Sequence, residues 1–313
     1  MNKPGLNRES ILLYLKGIAM GAADVVPGVS GGTIALITGI YQELVGSISK
    51  VGVDAVKILF KDGFAAAWNH INGWFLLVLF TGVLTSIVLL SHVILFLLHS
   101  YPIPVWSFFF GLILASSLHL GASIEKIQSV LVYLIAGIVA GYLLTELAPV
   151  QSEFSYIFLF ISGAIAICAM ILPGISGSFI LLMLGMYINV LSAVKGFDLP
   201  IIAVFATGCL VGLLAFSKLL SWLLQHAYNI TMALLLGVML GSLNRVWPWK
   251  EVLAYQIKSN GEQVAIAHRN LFPADFGEIT GSEPQLLVAL LMMVVGIAIV
   301  FLPGFLLREK NPI

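Results

Sequence analysis

Two matching stretches of the chain decide its fold: Pro27-Gly28-Val29-Ser30-Gly31-Gly32-Thr33 and Pro173-Gly174-Ile175-Ser176-Gly177-Ser178. Each is an uncharged bend between two apolar arms, 11–26 and 33–48 in the first case and 155–172 and 179–194 in the second. Non-helical backbone is tolerated at membrane depth only inside protein or along a wet cavity. The stretches therefore predict two re-entrant hairpins, 11–48 and 155–194.

The composition of the whole chain indicates a membrane protein. Of 313 residues, 60% are hydrophobic and 10% charged, with 15 basic and 15 acidic side chains, whereas soluble domains carry about a quarter charged residues. This excludes a soluble enzyme, a disordered chain and a basic nucleic-acid binder. Cys168 and Cys209 lie inside apolar runs and indicate neither disulfides nor a metal site. We predict an all-α polytopic protein without a cofactor.

The remaining apolar runs approach the roughly 20 residues that a helix needs to cross a bilayer. The predicted spans are 74–98, 104–120, 129–148, 199–225, 230–247 and 285–307. An amphipathic helix near 53–68 is predicted to lie on the membrane surface, and 248–284 is predicted to form an external loop.

The two hairpins are copies of each other. A shift of 146 residues gives eight identities over residues 26–41, and after the hairpins a shift of 126 matches Thr81-Gly82 with Thr207-Gly208. Residues 1–150 and 151–313 thus each hold one hairpin and three spans. Because three is odd, the second repeat is predicted to be inverted relative to the first, as in many secondary transporters.

Basic residues predict the orientation. With the amino terminus in the cytoplasm, the inner set is Lys3, Arg8, Lys50, Lys57, Lys61, Lys126, Arg308 and Lys310. The outer set is Lys195, Arg245, Lys250, Lys258 and Arg269, mostly in or beside the external loop. We expect both termini on the cytoplasmic side of the membrane.

The bends are candidate anion sites. A helix N-terminus offers free N–H groups and a positive dipole end, and the second arms are predicted to begin at Thr33 and Phe179. The candidate substrate-binding residues of the bends are Ser30, Gly31, Gly32, Thr33, Ser176, Gly177 and Ser178. The alternative is that these small residues only permit tight helix packing.

Charged groups at membrane depth are functional candidates. The shift of 126 aligns His92 with Lys218 and His119 with Arg245. Lys218 and Arg245 are the predicted partners of a negative substrate, since arginine suits bidentate capture of phosphate. The alternative is interfacial snorkelling.

The acidic candidates lack such symmetry. Asp24 and Glu43 are candidates for coupling to a proton or sodium ion, because burial near an anion site favours the protonated acid. The alternatives are a local cap on the bend for Asp24 and an interfacial position for Glu43. In the second repeat these positions hold Met170 and Asn189.

The chain resembles the bacterial polyprenyl-phosphate translocases of the PopT family, formerly domain-of-unknown-function family 368. The resemblance rests on MGAADVV at 20–26, PGVSGGTIALITGIY at 27–41, LPGISGSFILLMLGMY at 172–187, GVMLGSL at 237–243 and WPW at 247–249. It implies a bacterial inner-membrane flippase that returns undecaprenyl phosphate from the outer to the inner leaflet. Its partners would be that lipid and the membrane lipids; nothing predicts nucleic acid, and the oligomeric state stays open.

Two alternatives stay open at this stage. Integral-membrane polyprenyl-pyrophosphate phosphatases carry a bend of the form PGxSRSxxT, but here Gly31 and Gly32 stand at its arginine and serine positions, and Gly177 replaces the second arginine. An ion-coupled carrier of a small soluble anion would use the same fold. No GxxxxGK loop is present, so ATP is not the expected energy source.

Overall fold

The structure is a computed structural model that describes residues 7–26, 28–147, 154–257 and 263–308. Side chains are described outside 254–267 and up to residue 301. Pro27 of the first bend and both chain ends, on which the predicted orientation partly rests, lie outside the described residues.

The described residues of the first half form eight α-helices. They are α1 (Arg8–Val25), α2 (Gly31–Ile37), α3 (Tyr41–Ser49), α4 (Val53–Asp62), α5 (Phe64–His70), α6 (Gly73–Ser100), α7 (Pro102–Ala122) and α8 (Leu131–Glu146). A short 3-10 turn, Ile127–Val130, leads into α8.

The second half adds seven helices and two strands among its described residues. They are α9 (Tyr156–Ile171), α10 (Gly177–Met183), α11 (Tyr187–Gly196), α12 (Leu199–His226), α13 (Tyr228–Ser242), β1 (Lys250–Ile257), β2 (Gln263–Asn270), α14 (Pro273–Thr280) and α15 (Leu286–Arg308). A 3-10 turn, Leu243–Val246, follows α13.

The predicted class, an all-α polytopic membrane protein, is confirmed. Five helical segments of the described chain are long and apolar enough to cross a membrane: 73–100, 102–122, 127–146, 199–226 and 228–246. Helices α10 and α11 meet at 110° and form either a broken span or a re-entrant loop. Helix α9 and the part of α15 whose side chains are described, Leu286–Phe301, are shorter apolar helices.

The short arms of the hairpins start earlier than predicted. Helices α2 and α10 begin at Gly31 and Gly177, not at Thr33 and Phe179, because the extended backbone of Ser30 and Ser176 places these serines at the N-cap. The bend itself needs glycine, since Gly28 and Gly174 have φ of +88° and +86°.

The arms predicted over 33–48 and 179–194 are also not single helices. Gly39 and Gly185, with φ of +74° and +70°, break them after two helical turns. A helix cannot continue through a left-handed residue, so each arm divides into a short helix and a second helix that turns away. The helix predicted near 53–68 is divided in the same way at Gly63, between α4 and α5.

The predicted external loop 248–284 is more ordered than expected. Strands β1 and β2 form an antiparallel hairpin, with Lys250 opposite Asn270 and Glu251 opposite Arg269, and α14 follows. Trp249, Leu271 and Phe276 pack with Ile103 of α7 and Ala289 of α15 in a small apolar cluster of their own. Sequence analysis did not use the signal present here, two strand-like runs of eight residues on either side of Asn260-Gly261.

The helix pairs of the two halves correspond. Helix α1 packs along α6 as α9 packs along α12, and α7 packs along α15 as α13 packs along α8. Gly17 lies against Gly82 in the first pair; in the second, Gly163 lies against Phe205 and Gly208 lies against Phe160. Helices α2 and α10 are related by the shift of 146, and α6 and α12 by the shift of 126. The repeat thus extends to conformation, while the inversion of one half stays a prediction.

The close packing of α8 and α13 can be tested by substitution of Gly237. A Cβ there would lie 2.8 Å from the Cα of Gly137 and would also collide with the carbonyl oxygen of Leu134. We expect Gly237→Ala to lower the Tm of the purified protein, since overpacking costs about 1–3 kcal/mol against a helix-propensity gain of at most about 1 kcal/mol.

Gly46 in α3 is the matched control, because nothing lies within 4 Å of a Cβ built there. Gly46→Ala should leave Tm unchanged or raise it. Equal Tm values for the two variants would contradict the packing.

Candidate functional site

The two bends touch each other in the protein interior. The hydroxyl of Ser30 lies 3.1 Å from the carbonyl oxygens of Met170 and Leu172, which share its proton. The hydroxyl of Thr33 accepts a hydrogen bond of 2.9 Å from the backbone N–H of Gly174. Ser30 and Thr33 have no exposed surface. Because water does not reach these groups, the bends satisfy part of their own polar backbone by bonding to one another.

The helix N-terminus at the first bend is already occupied. A carboxylate oxygen of Asp24 accepts a 2.7 Å hydrogen bond from the N–H of Gly31, and the Ser30 hydroxyl accepts one of 3.1 Å from Gly32. Asp24 therefore adopts the cap position that sequence analysis gave as the alternative to coupling. In this conformation the first bend has few donors left for a ligand.

The second bend is less occupied. Met170 stands where the first repeat has Asp24, and no side chain caps α10. The hydroxyls of Ser176 and Ser178 lie 2.9 Å apart, with Ser176 buried and Ser178 exposed. At the start of α10 the exposed Ser178 is thus the residue that a ligand can reach, since Ser176 and Gly177 are buried.

Arg245 lies across both hairpins. Its guanidinium carbon is 4.4 Å from the ring centre of Phe179 in α10, in the range of a cation–π contact. Its Cγ would lie 2.7 Å from a Cβ built on Gly28 of the first bend. Glycine at position 28 is therefore needed both for its positive φ and for the passage of this side chain.

The 3-10 turn that follows α13 presents Arg245 to the bends. Met239 and Ser242, six and three residues earlier, lie against Gly174, where a Cβ would come within 2.9 Å of the Met239 Cα and 2.6 Å of the Ser242 hydroxyl. One helical face thus crosses the second bend and then, through Arg245, reaches the first.

The guanidinium of Arg245 has no protein acceptor among the described residues, because no ion pair or hydrogen bond engages it. Glu146 is near enough to act on it electrostatically but is itself a hydrogen-bond acceptor for the side-chain amide of Asn244. A half-buried arginine without an acceptor, beside open helix amides, is suited to a phosphate or carboxylate.

Lys250 adds to the positive charge here, and sequence analysis did not select it. Its ammonium donates to the backbone oxygen of Arg245 and lies 3.8 Å from the ring centre of Trp106. Burial, followed by the charge of Arg245, lowers the pKa of Lys250 well below its usual value. Burial, together with Arg245 and Lys250, lowers the pKa of His268 to about 3. The position directly after WPW at 247–249 was the only available signal for Lys250.

The other predicted residues lie elsewhere. Lys218 is exposed on α12, and its ammonium nitrogen lies 3.2 Å from where a Cβ on Gly52 would be. It makes no hydrogen bond with the described residues of either bend. His92 and His119 are exposed. Glu43 is exposed on α3 and accepts a 2.8 Å hydrogen bond from the amide of Asn72. The structure thus brings together Asp24, the two bends and Arg245, without Lys218 and Glu43.

The contact between the bends generates a test at Thr33. Thr33→Val keeps the shape of the side chain but leaves the buried N–H of Gly174 without its acceptor, which costs about 1–3 kcal/mol. We expect a lower Tm for Thr33→Val than for Thr33→Ser, which keeps the hydroxyl. Thermal unfolding in detergent measures this, and equal Tm values would contradict the contact.

Comparison with known proteins gives the family. The family model VCA0040-like, described as undecaprenyl phosphate translocase-like, matches residues 20–264. A polyprenyl-phosphate transporter of Vibrio cholerae serotype O1 is 54% identical over 297 residues, which cover 95% of this chain and 96% of the relative. A polyprenyl-phosphate transporter of Staphylococcus aureus is 35% identical over 254 residues, covering 75% of this chain and 85% of the relative.

No solved structure matches the chain. The family model spans most of the chain, including both bends and Arg245, and the Vibrio relative aligns over nearly all of it. The chain therefore belongs to the VCA0040-like family of undecaprenyl phosphate translocase-like membrane proteins.

Proposed function

We propose that this protein carries undecaprenyl phosphate from the outer to the inner leaflet of the bacterial cytoplasmic membrane by alternating access, and that Arg245 binds the phosphate. The observation that carries the proposal is the Arg245 guanidinium, which lies between the two bends without a protein acceptor. The names of the two relatives support the choice of a lipid phosphate over a soluble anion.

The phosphate is proposed to bind on the side of the second bend. There the N–H groups of Gly177 and Ser178 and the exposed Ser178 hydroxyl lack a carboxylate like that of Asp24 at the first bend. A phosphate at Arg245 can accept from these donors, whereas the ionised Asp24 would repel it at α2. Ser30, Gly31, Gly32, Thr33 and Ser176 are then proposed to shape and hold the site, and Lys218 to act outside it.

A carrier of this kind has to move a charge through a layer where a bare ion costs several kcal/mol or more. Pairing the phosphate with Arg245 reduces that cost, while the prenyl chain stays in the surrounding lipid. The two repeats differ as alternating access requires: α3 packs along α12, and α11 makes no comparable contact with α6. In a transporter with inverted repeats, exchange of such unequal contacts opens one side and closes the other.

We further propose that the protein is a transporter and not a phosphatase. Gly31, Gly32 and Gly177 provide no side chain to neutralise or attack a pyrophosphate. Purified protein is therefore expected to release no phosphate from undecaprenyl pyrophosphate. Release that Ser30→Ala abolishes would contradict this.

Arg245 is tested by labelling outer-leaflet undecaprenyl phosphate in cells that lack this protein and any redundant carrier. Wild-type protein should lower the outer-leaflet pool. Arg245→Ala should slow transport about 10- to 100-fold, because a charge-assisted hydrogen bond is worth about 1.5–3 kcal/mol. Arg245→Lys should lose less, since it keeps the charge without the bidentate geometry.

Exposed Arg8 at the start of α1 provides the control, and Arg8→Ala should transport normally. Equal losses in Arg245→Ala and Arg245→Lys would assign Arg245 a structural role. An unchanged outer-leaflet pool in cells lacking the protein would refute the transport function itself.

We propose Asp24, rather than the exposed Glu43, as the coupling acid, because only Asp24 lies at the bends. Asp24→Asn keeps an oxygen for the N–H of Gly31 but cannot release a proton. We expect Asp24→Asn to keep a Tm close to wild type but to transport slowly. Asp24→Ala should both lower the Tm and slow transport, because the cap that it removes is worth about 1 kcal/mol. Normal transport by Asp24→Asn would leave Asp24 as a cap only.

A further inference from the structure

Helix α4 has an apolar face that is largely exposed. None of its residues is buried, and Val53, Val56 and Phe60 are exposed by 66%, 51% and 85%. These residues recur at helical spacing along one face, with Lys57 and Lys61 beside them. Such a helix lies at a membrane interface, with its apolar face among lipid chains.

A cleft of about 820 Å³ lies between α4 and α12. Its walls are almost entirely apolar and are formed by Gly52, Val53, Val56, Phe60 and Leu214 together with the stems of Lys57 and Lys61. Lysine side chains commonly cover apolar surface with their stems while the ammonium stays at the rim.

A third lysine lies beside Gly52, at the edge of this cleft. Lys218 lies one helical turn after Leu214 on α12, and its ammonium would be 3.2 Å from a Cβ on Gly52. No ion pair engages Lys61 or Lys218 in the described part of the chain. Lys57 pairs with Asp54 at 3.5 Å, but both side chains are more than 70% exposed, so the pair is weak.

We propose that this cleft binds an anionic phospholipid, with an acyl chain between α4 and α12 and the lipid phosphate at Lys57, Lys61 and Lys218. The apolar walls fit the chain, and the ammonium groups of Lys61 and Lys218, with that of the weakly paired Lys57, fit the phosphate. The acids on α4, Asp54 and Asp62, balance only part of the positive charge. The bound lipid would join a surface helix of the first half to a span of the second, at a place separate from Arg245.

The test uses full-length protein that has been stripped of lipid in a neutral detergent. Phosphatidylglycerol, phosphatidylcholine and undecaprenyl phosphate are added in turn, and native mass spectrometry counts the lipids that the protein retains. We expect one phosphatidylglycerol to be retained at least tenfold more strongly than phosphatidylcholine.

Variants of the cleft distinguish the effects of charge, of cleft shape and of misfolding on lipid retention. Replacing Lys57, Lys61 and Lys218 together by glutamine should weaken phosphatidylglycerol retention at least tenfold, and replacing them by arginine should preserve it. Leu214→Trp fills the cleft without changing the charge and should weaken retention as well. Lys195→Ala, at an exposed lysine of α11, is the matched control and should behave as wild type.

Three results would overturn the proposal. Equal retention of phosphatidylcholine would mean that charge plays no part. Unchanged retention in the glutamine variant, with Tm close to wild type, would place the lipid elsewhere. Preferential retention of undecaprenyl phosphate that the glutamine variant loses would assign the cleft to the transport route. None of these outcomes depends on whether Arg245 binds the transported phosphate.

Discussion

The structure depends on one constraint: a helix broken inside an apolar protein must find partners for the backbone groups that the break sets free. Here the two bends provide many of those partners for each other, through Ser30 to the carbonyl groups of Met170 and Leu172 and through Thr33 to the N–H of Gly174. Each hairpin thus relies in part on the other for its hydrogen bonds. The interdependence places both bends at one point of the molecule, which gives the candidate site its position.

The two halves differ in how the N-terminus of the helix after each bend is capped, and this difference bears on function. At α2 the protein supplies its own anion, Asp24, while at α10 the equivalent position is Met170 and the cation Arg245 lies close by. A symmetric cradle of two helix ends would bind an anion equally from both sides. The observed site instead has one capped end, one end without a side-chain cap and one arginine that has no acceptor among the described residues, an asymmetry that agrees with the proposed binding and release of a phosphate.

Sequence reasoning predicted the class, the paired bends and Arg245, because hydrophobic run length and the doubled PG motif are strong local signals. It missed the breaks at Gly39 and Gly185, since an isolated glycine in an apolar run looks like a packing contact unless its φ is known. It also missed Lys250 and the β-hairpin, which tertiary contacts with Trp106 and Ile103 stabilise. Lys218 was chosen as a partner of the substrate's charge from alignment of the repeats, which does not give the direction of a side chain; the structure places it exposed on α12.

The most direct measurement is a cryo-electron microscopy structure of the protein with bound undecaprenyl phosphate. We expect phosphate density within hydrogen-bond distance of the Arg245 guanidinium and of the donors at the start of α10, with the prenyl chain leading sideways into lipid. Phosphate density away from both bends, with Arg245 still lacking an acceptor, would contradict this expectation.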